Sequence, residues 1–184
     1  MTRRLDVTEA DDNRGPIGRL PVTNSLQASR RSASGFDLEP PSDADRARLE
    51  SGLTDAEREV LLRHGTEAPF CGGLLDNKED GVYCCRLCGL PLFRAKTKFE
   101  SGTGWPSFWA PYDPAHIEAV RDTSYGMVRI ETRCARCGSH QGHVFPDGPA
   151  PTGDRYCINS VSLVFVRDGE PLPDPLRRGD HLAN

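Results

Sequence analysis

The sequence predicts an antiparallel, mainly β domain, and three observations carry that expectation. Turn signals recur at short intervals after residue 70, at Gly72-Gly73, Asp80-Gly81, Asp147-Gly148-Pro149 and Asp168-Gly169. Short β-type runs lie between them, GVYCC, YGMVRIET and YCINSVSLVFV. No long helical period appears beyond residue 70, so the strands are joined by turns rather than by crossover helices.

Ahead of this region one helix is expected. Thr54-Asp55-Ala56-Glu57 fits a capping box, in which the Thr and Glu side chains satisfy exposed backbone N–H groups. Val60, Leu61 and Leu53 supply an apolar stripe, and Gly65 ends the helix. Residues 1 to about 45 contain SLQASRRSASGFDLEPPSDAD, rich in Ser, Pro, Gly and charge. Such a stretch offers too little apolar surface to offset the entropy of ordering, so a disordered extension is expected, with a docking tail as the alternative. The chain of 184 residues then divides into an extension (1–45), one domain (46–168) and a C-terminal tail (169–184).

The bulk numbers exclude some functions. A net charge of -4 argues against electrostatic capture of nucleic acid or anionic membrane. No apolar run reaches the ~18 residues of a spanning helix. The opening MTRRLDVTEADDNRG lacks the apolar core of a secretory signal, and its four acidic residues do not fit a transit peptide. A cytoplasmic location is expected.

Seven cysteines, at 71, 84, 85, 88, 134, 137 and 157, are the informative excess. In a reducing compartment they point to metal binding or thiol chemistry. Cys85-Arg86-Leu87-Cys88-Gly89 and Cys134-Ala135-Arg136-Cys137-Gly138 each close a tight turn on one metal. Together they make a four-thiolate zinc site with no open position, a structural staple between distant strands. A redox-active Cys-x-x-Cys is the alternative, but that motif normally occurs once and beside a βαβ pattern. Cys84 reads as a small core residue.

Cys157 is left over. If residues 155–165 form one strand, Val161, Leu163 and Phe165 share an apolar face that Arg155, Cys157 and Asn159 continue outward. A guanidinium beside a thiol favours the nucleophilic thiolate, although Cys157 as a packing residue stays open. His140 and His143 lie close together after the second knuckle and are suited to donating a proton near neutral pH; paired surface histidines or metal ligands are the alternatives. Gly102-Thr103-Gly104-Trp105-Pro106-Ser107-Phe108 would place Trp105 and Phe108 as an aromatic wall for a small, weakly polar group.

The ordered motifs GxGWPSF, CARCG, H-x-G-HVFPDGP and PTGxRYCINS closely resemble the B-type methionine-R-sulfoxide reductases over roughly residues 53–166. The resemblance implies two antiparallel β-sheets with a small helical N-terminal part, and reduction of the R epimer of methionine sulfoxide, free or in oxidised proteins. It implies Cys157 as nucleophile and Cys85, Cys88, Cys134 and Cys137 as zinc ligands. Trp105 would pack on the substrate methyl, His143 and His140 would serve the pocket, and Arg155 and Asn159 would support the nucleophile. Cys157 would become a sulfenic acid, condense with a second thiol and be regenerated by thioredoxin. Many members carry that second cysteine at the position of Thr103. Here Cys71, preceded by Ala68-Pro69-Phe70 and followed by two glycines, is the candidate resolving thiol, with Cys84 or an external thiol as alternatives. A zinc-stabilised interaction module without catalysis is the competing reading.

Overall fold

In the computed structural model, residues 30–179 are described. The described residues form two α-helices, α1 (Asp43–Ser51) and α2 (Asp55–Arg63), and nine strands: β1 (Gly81–Cys85), β2 (Pro91–Arg94), β3 (Lys98–Phe99), β4 (Ser107–Phe108), β5 (Ile117–Asp122), β6 (Arg129–Cys134), β7 (His140–Phe145), β8 (Arg155–Ile158) and β9 (Leu163–Arg167). They make two sheets, β2-β1-β9 and β3-β4-β8-β7-β6-β5, with every pairing antiparallel. Among the described residues no helix is long and apolar enough to cross a membrane.

The mainly β class and the two sheets match the sequence expectation, as does α2. Thr54 and Glu57 form the reciprocal capping box, and Val60 and Leu61 are buried. The helix ends through His64, which takes the left-handed conformation at φ 59° and ψ 31°, while the Gly65 N–H reaches back to the Glu59 carbonyl at 3.0 Å.

Aromatic rings fill the space between the sheets. Phe93 of β2 stacks on Phe108 of β4 at 4.4 Å, and Tyr83 of β1 meets the same Phe108 ring at 5.0 Å. Tyr156 of β8 and Phe165 of β9 extend this layer, against Phe93 and Tyr83 respectively. Offset and edge-on contacts of this kind contribute about 0.5–1.5 kcal/mol each beyond the area they bury.

The two Cys-x-x-Cys turns join the sheets at one end. The first follows β1 of the small sheet and the second follows β6 of the large one. In each, the glycine after the second cysteine has a left-handed φ, 75° at Gly89 and 73° at Gly138, and donates its N–H to the first cysteine's carbonyl. All four sulfurs are buried and lie within 4.8 Å of one another. The Cys85–Cys137 and Cys88–Cys134 sulfurs are 3.6 and 3.5 Å apart. That is far beyond the ~2.05 Å of a disulfide. It is close to the ~3.8 Å edge of a tetrahedron whose centre lies about 2.3 Å from each sulfur. Burial pushes the Cys88 and Cys134 thiols well up and their sulfur neighbours add to it, whereas hydrogen bonds from the other three outweigh burial at Cys85 and hold it down. A divalent cation at the centre is the group that lets all four be thiolates, so the donor set fits a metal ion.

Three expectations are corrected. Residues 155–165 are not one strand: β8 belongs to the six-stranded sheet, β9 to the three-stranded one, and a 3-10 turn at Ser160–Ser162 carries the chain between them. Alternation therefore cannot be counted across it, and Val161, Leu163 and Phe165 do not continue the Cys157 face. Residues 30–45, expected to be unstructured, form a strap on the body; the rest of the expected extension, 1–29, lies outside the described residues. Phe36 is fully buried against Tyr112 and His116, Leu38 is buried, and Ser42 caps α1. Buried Arg136, inside the second knuckle, holds the strap by donating to the Asp37 carbonyl at 2.7 Å and also donates to the Cys88 carbonyl at 3.2 Å. The described part of the C-terminal tail likewise packs down, with Leu172 in the core and Arg178 donating to the Glu39 carbonyl.

The buried strap has a measurable consequence. Phe36→Ala leaves a cavity beneath it and should destabilise the fold by about 3–5 kcal/mol in urea unfolding, as large-to-small aromatic changes do in closed cores. Stability within experimental error of the parent would show that the strap does not belong to the folded body.

Candidate active site

Cys157 sits on β8 between two strands of the large sheet, opposite Ser107 of β4 on one side and His143 of β7 on the other. Its thiol is part-exposed at a pocket of about 140 Å³ that Thr66, Trp105, His143, Phe145 and Asn159 also line, with Arg129 at the edge. The volume suits a thioether-sized group rather than an extended ligand.

The strand that supplies each group explains the arrangement. His143 and Phe145 share a face of β7 because side chains alternate along a strand. The Arg155 guanidinium lies 4.5 Å over the Phe145 ring, and its Nε and Nη2 donate to the two oxygens of Asp147 at 2.8 and 2.9 Å. Arg155 is thus fixed beside Cys157 by a bidentate pair.

Burial pushes the Cys157 thiol above its ordinary range, while the Thr103 hydroxyl and the Arg155 guanidinium pull it back down. The sequence expectation that Arg155 favours thiolate holds in sign, but burial outweighs it. The Thr103 hydroxyl is 3.9 Å from the sulfur, so the residue at this position touches Cys157 but carries no thiol.

A second segment roofs the site. Trp105 donates its indole N–H to the Glu67 carbonyl at 3.1 Å, and the Phe70 N–H donates to the Gly104 carbonyl at 2.9 Å. Gly104 has φ 91°, and a Cβ there would lie 2.7 Å from Pro69, so only glycine admits this contact. The Glu67 carboxylate accepts the Ser160 and Val161 N–H groups at 2.5 and 3.1 Å, capping the turn that follows Cys157. Asn159 accepts the Glu67 N–H on Oδ1 and donates from Nδ2 to the Gln141 carbonyl. It is a buried brace between strands and roof, although its side chain also reaches the pocket.

Both histidines are held by carboxylates of the same sheet, His140 by Glu131 on the adjacent β6 and His143 by Asp122 at the end of β5, one strand further. His143 Nε2 lies 2.9 Å from Asp122 Oδ2, and His140 Nδ1 lies 2.6 Å from Glu131 Oε1. Hydrogen bonds from Ser124 and then His143 hold the Asp122 carboxyl well below the usual range. Burial pushes His140 down, so its ring is neutral at neutral pH in spite of Glu131. His140 borders an adjoining cavity of about 430 Å³ that shares Thr66, Arg129 and His143 with the Cys157 pocket.

The structure therefore brings Cys157, His143, Arg155, Asn159 and Trp105 together and sets His140 just behind. It does not bring Phe108, whose ring is fully buried between Tyr83 and Phe93; Phe145 forms the aromatic wall instead. Phe145 was legible two residues after His143. Glu67, Asp122, Arg129 and Glu131 escaped sequence reasoning because their partners are distant along the chain. Cys84 is fully buried and burial pushes its thiol far above the ordinary range, away from thiolate chemistry; Cys71 is exposed.

Comparison with known proteins agrees with this geometry. A family model described as the SelR domain matches residues 53–167. The chain is 72% identical over 156 residues to the peptide methionine sulfoxide reductase MsrB of Caulobacter vibrioides (strain NA1000 / CB15N), covering 85% of this chain and 98% of that one. It is 61% identical over 148 residues to the MsrB of Xylella fastidiosa (strain M23), covering 80% and 96%. Against the MsrB of Escherichia coli (strain K12 / DH10B) it is 55% identical over 122 residues, covering 66% and 88%. With the SelR domain over most of its length and relatives matched nearly end to end, the chain belongs to the MsrB family of peptide methionine sulfoxide reductases.

Proposed function

We propose that this enzyme reduces the R epimer of methionine sulfoxide, in oxidised proteins or free, with Cys157 as nucleophile, Cys71 as resolving thiol and thioredoxin as reductant. The observation that carries the reading is the part-exposed Cys157 sulfur in a small pocket walled by Trp105 and Phe145, with His143 on the adjacent strand. The sulfoxide methyl packs on the Trp105 ring. The Cys157 thiolate attacks the sulfoxide sulfur while His143 delivers a proton to its oxygen, and His140 is the alternative donor. Methionine leaves as the S–O oxygen passes to Cys157, which is now a sulfenic acid. Arg155 and Asn159 hold the nucleophile's strand and the charge beside it.

Cys71 then attacks the Cys157 sulfenic sulfur, releasing water and forming a disulfide that the thioredoxin dithiol reduces. Placement favours Cys71 over Cys84. Its neighbour Phe70 is bonded to Gly104, one residue from Thr103, and its other neighbour Gly72 packs so tightly on Ser160 that a Cβ would lie 2.1 Å from the hydroxyl oxygen. Cys71 is thereby pinned between the two segments that flank Cys157, on an exposed loop. The four-cysteine site holds zinc as a structural ion, and the whole serves repair of oxidised protein in the cytoplasm.

Each part has its own measurement. Elemental analysis should find about one zinc per chain. Structural zinc contributes about 10–16 kcal/mol in apparent terms, more than the ~5–15 kcal/mol net stability of a domain. Cys88→Ser should therefore abolish folding rather than selectively remove activity; a folded, active, metal-free protein would contradict the zinc staple.

Cys157→Ser should fold, keep zinc and release no methionine. Cys71→Ser should release about one methionine per enzyme and then stop with thioredoxin, because only the second step uses that thiol. Peptide mapping of the oxidised parent should show a Cys71–Cys157 link. A stable sulfenic acid with no disulfide would count against Cys71.

Arg155→Met removes a group that pulls the Cys157 thiol down, so its pKa should rise further. The alkylation rate of Cys157 against pH should shift to higher pH in this variant. An unchanged profile would show that Arg155 does not act on the sulfur.

A further inference from the structure

A second cluster of ligand-type side chains lies behind the reaction pocket, apart from the four cysteines. His64 Nδ1 and His140 Nδ1 both converge on one oxygen of Glu131, Oε1, at 2.6 Å each. One donor atom from each of the three residues lies within 4.8 Å of the other two. From this convergence we propose that His64, Glu131 and His140 form a second, accessible metal site that takes a borderline divalent transition ion such as Ni2+ or Zn2+.

Two imidazoles and one carboxylate are a donor set such ions favour, and three protein ligands leave open positions for water. The separations are short for ligands around one ion. An ion about 2.0–2.2 Å from each donor sets them about 3.0 Å apart in octahedral and about 3.4 Å apart in tetrahedral geometry, so both N–O distances must open and the octahedral case asks least. His64 can supply its share, because its ring is 47% exposed, while the buried Glu131–His140 pair has to separate within its surroundings. The exposed ring also gives the ion a way in from the 430 Å³ cavity that all three residues line.

The state of each donor fits. Burial raises the Glu131 carboxyl, but hydrogen bonds from Arg133, His140 and His64 outweigh it and hold the group at about 2, so it is ionised. Arg133 donates to Oε2 at 2.6 Å, fixing the carboxylate from behind and leaving Oε1 to face the histidines. Burial keeps the His140 ring neutral, the form that ligates. Its Nε2 is buried and has no protein partner; with the proton there the Nδ1 lone pair turns to an ion, and the ligand bond has to offset the cost of a buried N–H. His143, paired with Asp122, stands next to His140 with ring centroids 5.6 Å apart and is not needed as a ligand.

An ion in this place takes up His140 and stiffens the wall shared with the Cys157 pocket. Reductase turnover should then fall reversibly as the ion binds; this consequence, unlike the binding itself, rests on the function proposed above.

The test is titration of the zinc-loaded Cys157→Ser protein with Ni2+, followed by calorimetry and by metal analysis after desalting. The serine removes the thiol of the neighbouring pocket as a competing ligand. One further equivalent of Ni2+ per chain is expected, lost in the double variants that add His64→Ala or Glu131→Gln. The His64 change is the safer one for folding, since that ring is nearly half exposed whereas Glu131 is buried. In the parent enzyme Ni2+ should slow turnover, a chelator too weak to strip the four-cysteine site should restore it, and His64→Ala should resist the ion. No second equivalent, or one that survives His64→Ala, would overturn the site. A second equivalent that needs His64 but leaves turnover unchanged upholds the site and counts against His140 in the reaction.

Discussion

The meeting of the two Cys-x-x-Cys turns is the constraint on which the rest of this structure depends. The sheets share few backbone links, and the pairs that bring their ends together come from β1 in one and β6 in the other. The four buried sulfurs at near-tetrahedral spacing are a donor set that a metal ion fits, since burial opposes ionisation of Cys88 and Cys134 in its absence. Everything attached to those turns inherits their position. Arg136 ties the N-terminal strap to the second knuckle and reaches across to the first, and Arg46 of α1 donates to the Cys137 carbonyl at 2.7 Å. The strap, the first helix and the C-terminal segment are in this sense outer layers of the four-cysteine end.

The reactive end is organised by a crossing rather than by a sheet. Cys157 is near the end of β8, and within the next six residues the chain has left the large sheet and entered the small one. Such a crossing would leave backbone N–H groups at Ser160 and Val161 without partners. Glu67 supplies them from the roof, while its carbonyl takes the Trp105 indole and its N–H takes Asn159. One residue thus couples the turn behind the nucleophile, the pocket's aromatic wall and the loop that carries Cys71. A change at Glu67 would disturb all three, although it touches no sulfur.

Features written in short stretches of sequence were legible. The capping box of α2, the metal-binding spacing with its left-handed glycines, and the isolation of Cys157 from both pairs each depend on residues a few positions apart. What failed depended on long-range placement. A periodic pattern over 155–165 carries no sign that the chain changes sheets in its middle. Phe108 reads as a pocket residue from the motif around it, yet the sheet pairing turns it inward onto Phe93. The strap was misread for a thermodynamic reason: a single fully buried Phe36, assisted by Leu38 and Arg136, orders a segment whose average composition is that of a disordered chain. Asp122 and Glu131 became visible only when β5 and β6 lay beside the histidines of β7.

The electrostatics at Cys157 favour a guarded thiol. A cysteine held permanently as thiolate in an accessible pocket would be open to any oxidant, since the thiolate is the form that climbs the oxidation ladder. Here burial holds the thiol up and outweighs the downward pull of Arg155, whose guanidinium is shared with Asp147 and the Phe145 ring. The resting sulfur is therefore mainly protonated. In the proposed reaction a sulfoxide in the pocket would change the balance, because its S–O dipole places partial positive charge at the point of thiolate attack and partial negative charge where a proton arrives. On that reading the substrate would stabilise the thiolate it needs, and reactivity would be tied to occupancy of the pocket between Trp105 and Phe145.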